Sequence, residues 1–149
     1  MTSIDIGVVG HHVHNLLGTY AEKADDRDAD AVAELFGRAR VDFAGTTLRR
    51  RDEISAHYTA LFAGAPPSRH LLTNIIIDVT DADHQVAARC RYSRWAIDPD
   101  ATLLAIGDYR ATFARSSDDH WHFSSFIVSR AWAATTPPTQ ATNPEGTVR

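Results

Sequence analysis

The second half of the chain restricts the fold most. Four long runs rich in β-branched and aromatic residues, 70–79, 85–97, 102–115 and 121–132, are separated by turn-rich linkers around DADH, DPDA and SSDD. Linkers this short join neighbouring antiparallel strands, so the runs predict a four-stranded meander.

Before the meander the apolar period is helical. From Ile6 onward, Val9, Val13, Leu16, Leu17 and Tyr20 recur at helical spacing. This helix runs out near DDRD, where Asp28 caps a second helix, DADAVAELFG, closed by Gly37. RARVDFAG alternates as one short strand. Asp52 and Glu53 open a third helix, whose Ile54, Tyr58, Leu61 and Phe62 form one face; Gly64 and the Pro66-Pro67 pair stop it. The sum is an α+β plan in which the helices have one sheet face to cover. A strongly curved antiparallel sheet, closed at one end by three N-terminal helices, forms a cone whose mouth is a ready pocket. Residues 1–134 make this single domain, and residues 135–149, TTPPTQATNPEGTVR, are expected to be a flexible polar tail.

A chain of 149 residues buries a sizeable core without disulfides or metals. Net charge is −4 and the basic residues are scattered, so a nucleic-acid partner is not expected. The one dense spot, Arg49 to Arg51, reads as a solvated helix start. Cys90, alone and inside an apolar strand, reads as a buried and inert thiol. No stretch approaches 18 uncharged apolar residues and the start lacks a signal-peptide pattern, so no membrane partner is expected and the cytoplasm is the default location.

Three places carry residues able to do chemistry. The first is YAEKAD, residues 20–25. Tyr20 lies on the apolar stripe of the first helix. Asp25 falls about 140° round from it at about 100° per residue, and shares its face only if the helix frays or bends. Asp25, Asp26 and Asp28 equally read as caps between two helices. The second place is His70, which shares a strand face with Leu72 and Asn74. Such a mixed face suits a pocket wall, and it also suits a histidine at the sheet rim. The third is Arg130, on a face with Phe126 and Val128, where it either pairs with a helix carboxylate or enters the pocket.

Other signals are weaker. His11, His12 and His14 fall on different sides of the first helix, and His120 and His122 flank Trp121 without a third ligand, so no metal site is expected. The chain has no P-loop, GxGxxG, GxSxG or CxxC motif, and no cofactor is expected.

The run "LLGTYAEKADDRDADAVAELF" through "VDFAG", then "RRDEISAHYTALFAGAPPSRHLLTN" and "GDYRATFARSSDDHWHFSSFIV", resembles the SnoaL-like part of the nuclear-transport-factor-2-like superfamily over about residues 5 to 132. The scytalone dehydratase and bile acid 7α-dehydratase branches are similar in pairing an aspartate at the end of the first helix with a histidine at the start of the first long strand. Asp25 and His70 stand at those positions. The resemblance further implies Tyr20 as a catalytic hydrogen-bond donor and Arg130 as a substrate contact. Phe43 stands about where those enzymes keep a second pocket tyrosine, and no second histidine occurs on the 85–97 run, where Tyr92 and Arg91 are the nearest polar residues.

The implied protein is a cofactor-independent acid–base enzyme, a dehydratase or an isomerase/cyclase, acting on a hydrophobic oxygenated ring compound. His70 is its acid/base, Asp25 the group that orients it, and Tyr20 a donor to substrate oxygen. Phe43, Tyr58, Asn74, Tyr92 and Arg130 are the expected substrate contacts. The alternative is a noncatalytic small-ligand binder or the small subunit of a ring-hydroxylating dioxygenase. A homodimer or higher homo-oligomer is expected through an outer sheet face carrying Ile75, Ile77, Val79 and Ala87.

Overall fold

A computed structural model describes residues 5–81 and 85–135. The first helix, α1 (Ile6–Asp25), starts at Asp5, whose carboxylate accepts from the Gly7 N–H at 2.8 Å. It buries Val9, Val13, Leu17, Tyr20, Ala21 and Ala24, the i, i+4 stripe visible in the sequence. Helix α2 (Ala29–Phe36) is capped by Asp28, which accepts from the Ala31 N–H at 2.9 Å. Gly37, at φ +58°, ends it in the left-handed region. At the start of α3 (Arg51–Ala63) the Glu53 carboxylate accepts from the backbone N–H of Arg49 and Arg50 at 3.0 and 3.1 Å. The arginine run is a solvated helix start: Arg50 pairs with Asp52 and Arg51 with Glu34, all four exposed.

The sheet has six strands in the order β2-β1-β6-β5-β4-β3. The four long ones, β3 (Ser68–Asp81), β4 (Gln85–Ala96), β5 (Thr102–Arg115) and β6 (Trp121–Ala133), form the expected antiparallel meander. The single short strand expected near residue 40 is instead a hairpin, β1 (Arg40–Phe43) and β2 (Thr46–Leu48). Ala44 and Gly45 both take positive φ, 48° and 93°, the two-residue turn whose twist matches paired strands. An alanine in the first left-handed position is why the turn is hard to see in the sequence. β1 then runs parallel to β6 and extends the sheet.

The inner faces of the long strands meet the helices over an aromatic core. Phe36, Tyr58, Tyr109, Phe113, Phe123 and Phe126 are fully buried in it. A large side chain buried this way contributes roughly 1.5–3 kcal/mol. Cys90 lies in the same layer, and burial pushes its thiol up to about 11, which keeps it protonated and unreactive.

Strand β3 departs from simple alternation. Its register against β4 shifts between Thr73 and Ile76, and Asn74 sits in the bulge at φ +55°. The extra residue reverses the parity. His70 and Leu72 face inward before the bulge, and Ile75 and Ile77 pack on the core after it. Ile75 and Ile77 therefore do not form the outer apolar face expected of them. Ala87 does stand outside, and the outer apolar residues are instead Leu71, Ile76, Ile106, Ile127 and Trp132. Of the expected tail, residues 136–149 lie outside the described residues. Among the described residues no helix is long and apolar enough to cross a membrane.

Candidate active site

The Asp25–His70 pair forms. Helix α1 stays regular through Asp25, its last residue, and the start of β3 lies alongside that end. Both carboxylate oxygens accept from the His70 backbone N–H at 3.1 Å, and Oδ1 also meets the ring Nδ1 at 2.6 Å. Their side chains are only 9% and 13% exposed. A carboxylate can only accept, so Nδ1 carries the proton and Nε2 of the neutral ring is left with its lone pair. Nε2 takes no hydrogen bond among the described residues, and the ring lines the cavity. Asp25 thus holds His70 by backbone and ring together, whereas Asp28 is the residue that caps the next helix.

A cavity lies between α1, α3 and the inner face of the sheet. Tyr20, Phe43, Tyr58, Phe62, His70 and Arg130 all reach it. A second compartment shares Tyr20, Phe43, His70, Arg94 and Arg130 and adds Tyr92 and Tyr109. Two compartments with this much common wall are one pocket.

Two phenols line the same pocket as the imidazole. Tyr20 Oη and Tyr58 Oη are 2.9 Å apart, and both rings are buried. Burial raises both well above the ordinary phenol range, so they stay protonated and can donate. One hydroxyl donates to the other, and Tyr109 is a further hydrogen-bonding neighbour of Tyr20. Tyr92 stacks on Tyr109 at 4.4 Å between ring centroids and lies 6.0 Å from the His70 ring. The stacking depends on Gly107 in the next strand: a Cβ there would stand 2.5 Å from the Tyr92 ring and 2.2 Å from the Ser129 carbonyl oxygen.

Of the expected residues, Asp25, His70, Tyr20, Phe43, Tyr58, Tyr92 and Arg130 converge on this pocket. Asn74 does not. The bulge turns it to the outer face, where it borders a groove with Arg89, Arg91 and Asp108. Arg91 is likewise outside, 3.8 Å from Asp108. The inward arginine of β4 is Arg94, cross-strand from His70, with Nε donating to the Ser68 hydroxyl at 2.9 Å. Counting by two from Tyr92 would have found it. Among the described residues no three His, Cys, Asp or Glu side chains gather as a metal cluster would.

The family model described as the SnoaL-like domain matches residues 11–127. No curated protein matches the sequence. Three solved structures from Novosphingobium aromaticivorans share the fold. One is a candidate scytalone dehydratase, with a TM-score of 0.72, 18% identity, and 95% of this chain and 96% of that one covered. A candidate aromatic ring hydroxylase has a TM-score of 0.68 and 21% identity over 81% of this chain and 87% of its own. The third is a protein described as NTF2-like with a cystatin-like fold, with a TM-score of 0.67 and 22% identity, covering 81% of this chain and 80% of that one. Identities this low speak for the fold alone; with a family model that spans most of the chain, cone and helices included, the protein belongs to the SnoaL-like domain family, on the NTF2-like fold.

Proposed function

We propose that this pocket is the active site of a cofactor-independent acid–base enzyme that eliminates water from a hydrophobic oxygenated ring compound. The carrying observation is the 2.6 Å contact between Asp25 and His70 Nδ1, which supports Nε2 as the base in a pocket walled by aromatic rings and arginines. In the elimination, Nε2 takes a proton from the carbon beside a substrate carbonyl. The electron pair moves into the carbonyl, giving an enolate whose oxygen accepts from the Tyr20–Tyr58 pair. The imidazolium, stabilised by Asp25, then returns the proton to the departing hydroxyl, and water and a new C=C bond result. Return of the proton to a different carbon would make the same site an isomerase.

The test is a panel of cyclic β-hydroxyketones followed by the growth of enone absorbance. Conversion by the wild-type protein that disappears in both His70→Ala and Asp25→Asn supports the reading. Binding of the same compounds with no conversion would leave a ligand carrier instead. A homodimer through the outer face belongs to the same proposal, since Leu71, Ile106 and Trp132, aligned across β3 to β6 through Ser93, are exposed there. A monomer in light scattering at micromolar concentration would remove it.

A further inference from the structure

Arginines on the two faces of the sheet are partnered differently. On the outer face Arg89 meets Asp78 at 2.6 Å and Arg91 meets Asp108 at 3.8 Å. On the inner face Arg94 and Arg130 both line the pocket, and neither makes an ion pair with a carboxylate among the described residues. The carboxylate nearest in the site, Asp25, is already taken by the His70 ring and backbone. Arg94 is partly buried, and among the described residues its side chain donates only to a neutral hydroxyl, that of Ser68. Burial and the neighbouring Arg130, itself exposed, both disfavour the charge on Arg94, and an anion between the two side chains offsets this.

The strand order provides the space. Arg94 stands across from Ala105 and Arg130 across from Gly107, both small residues of the intervening strand β5. Two strand spacings and a two-residue offset along β5 put their Cα atoms roughly 12 Å apart, and two long side chains can close on one group from either side. A guanidinium offers parallel N–H donors that match the two oxygens of a carboxylate.

We infer that the ligand of this pocket is a ring compound bearing a carboxylate, held by Arg94 and Arg130 beside the His70 ring. The inference rests on the acid–base reading only for calling the ligand a substrate; the anion site stands or falls by itself. With the carboxylate fixed by the arginines, the ring system lies along Tyr92, Phe43 and Tyr58, and the reacting carbon comes under Nε2.

Calorimetry with 2-naphthoate and its neutral isostere 2-naphthamide on the full chain tests this. Wild-type protein should bind the carboxylate roughly tenfold or more tighter than the amide. Arg94→Gln and Arg130→Gln should each remove most of that preference while amide affinity, the check on the fold, stays the same. Arg94→Lys should keep part of it. Equal affinity of the two ligands for wild type, no binding of naphthoate at millimolar concentration, or a preference that survives both Gln variants would overturn the inference. A preference that follows the arginines in a protein whose His70→Ala variant still turns over its substrate would uphold the anion site and overturn the acid–base reading.

Discussion

The two faces of the curved sheet are made by the same strands, one residue apart, and use the same side-chain types to opposite ends. On the outer face charges neutralise one another across strands in water: Arg89 with Asp78, both about half exposed, and Arg91 with Asp108. Such pairs contribute little and could be exchanged for other polar residues. On the inner face a few polar groups stand among aromatic rings: Asp25 holds His70, Tyr20 meets Tyr58 and Arg94 donates to Ser68, while neither Arg94 nor Arg130 pairs with a carboxylate among the described residues. What distinguishes a site from a solvated surface is thus neither the arginine nor the aspartate. It is whether the partner is another protein charge or an empty space shaped for something else.

The strongest way to break that contrast is to remove one member of an inner pair and one of an outer pair. Asp25→Asn should lower turnover by about 10²–10⁴-fold, the usual contribution of an acid–base group, since the amide no longer fixes the Nδ1 proton or stabilises the imidazolium. His70→Ala should do the same, and the double variant should be little worse than either, because the two act as a unit. Asp78→Asn on the outer face should leave turnover unchanged and stability within about 0.5 kcal/mol. Steady-state kinetics beside urea melts reads both. Comparable losses from inner and outer variants would mean that the inner pair is only structural.

A second, smaller effect separates the faces by packing. Gly107→Ala puts a methyl 2.2 Å from the Ser129 carbonyl oxygen and against the Tyr92 ring, so backbone must move. A loss of roughly 1–3 kcal/mol in chemical denaturation is expected, as for other overpacked positions. Gly18→Ala, on the exposed side of α1 with nothing within 4 Å of the new atom, should instead raise stability by about 0.5–1 kcal/mol. If Gly107→Ala is neutral, the flat seat of Tyr92 on Tyr109 does not depend on the glycine.

Much of this was legible in the sequence wherever the period was clean. The stripe of α1, the Asp28 cap and the meander follow from spacing and turn chemistry alone, and so does the inward aim of Tyr20. Asp25 and His70 could not be joined that way. Their contact spans 45 positions and depends on where β3 docks against α1, and only the family resemblance brought them together. Asn74 and the Ile75–Ile77 pair went astray for one reason: a bulge adds a single residue, which leaves no compositional mark and reverses every side chain beyond it. Arg94 was within reach of simple alternation from Tyr92, but Arg91 is just as close along the chain, and sequence distance says nothing about face.

The smallest expected effect lies at the edge of the inner side. His57, on α3, stands 4.9 Å from the Phe43 ring, and its Nε2 is buried without a hydrogen-bond partner. Burial lowers its affinity for a proton below the ordinary histidine value. The unfolded chain therefore takes up that proton at higher pH than the folded one. Stability is complete above the unfolded value near ~6.5 and falls as the pH drops below it, because protonation then favours the unfolded state. The ring is still open enough to solvent that the loss should be a fraction of a kcal/mol. His57→Phe, which keeps the contact with Phe43 and removes the titration, should flatten the difference in urea midpoint between pH 7 and pH 5 relative to wild type. If the two proteins lose stability in parallel, the acid sensitivity belongs to other histidines, and the unpartnered nitrogen of His57 is satisfied by water in solution.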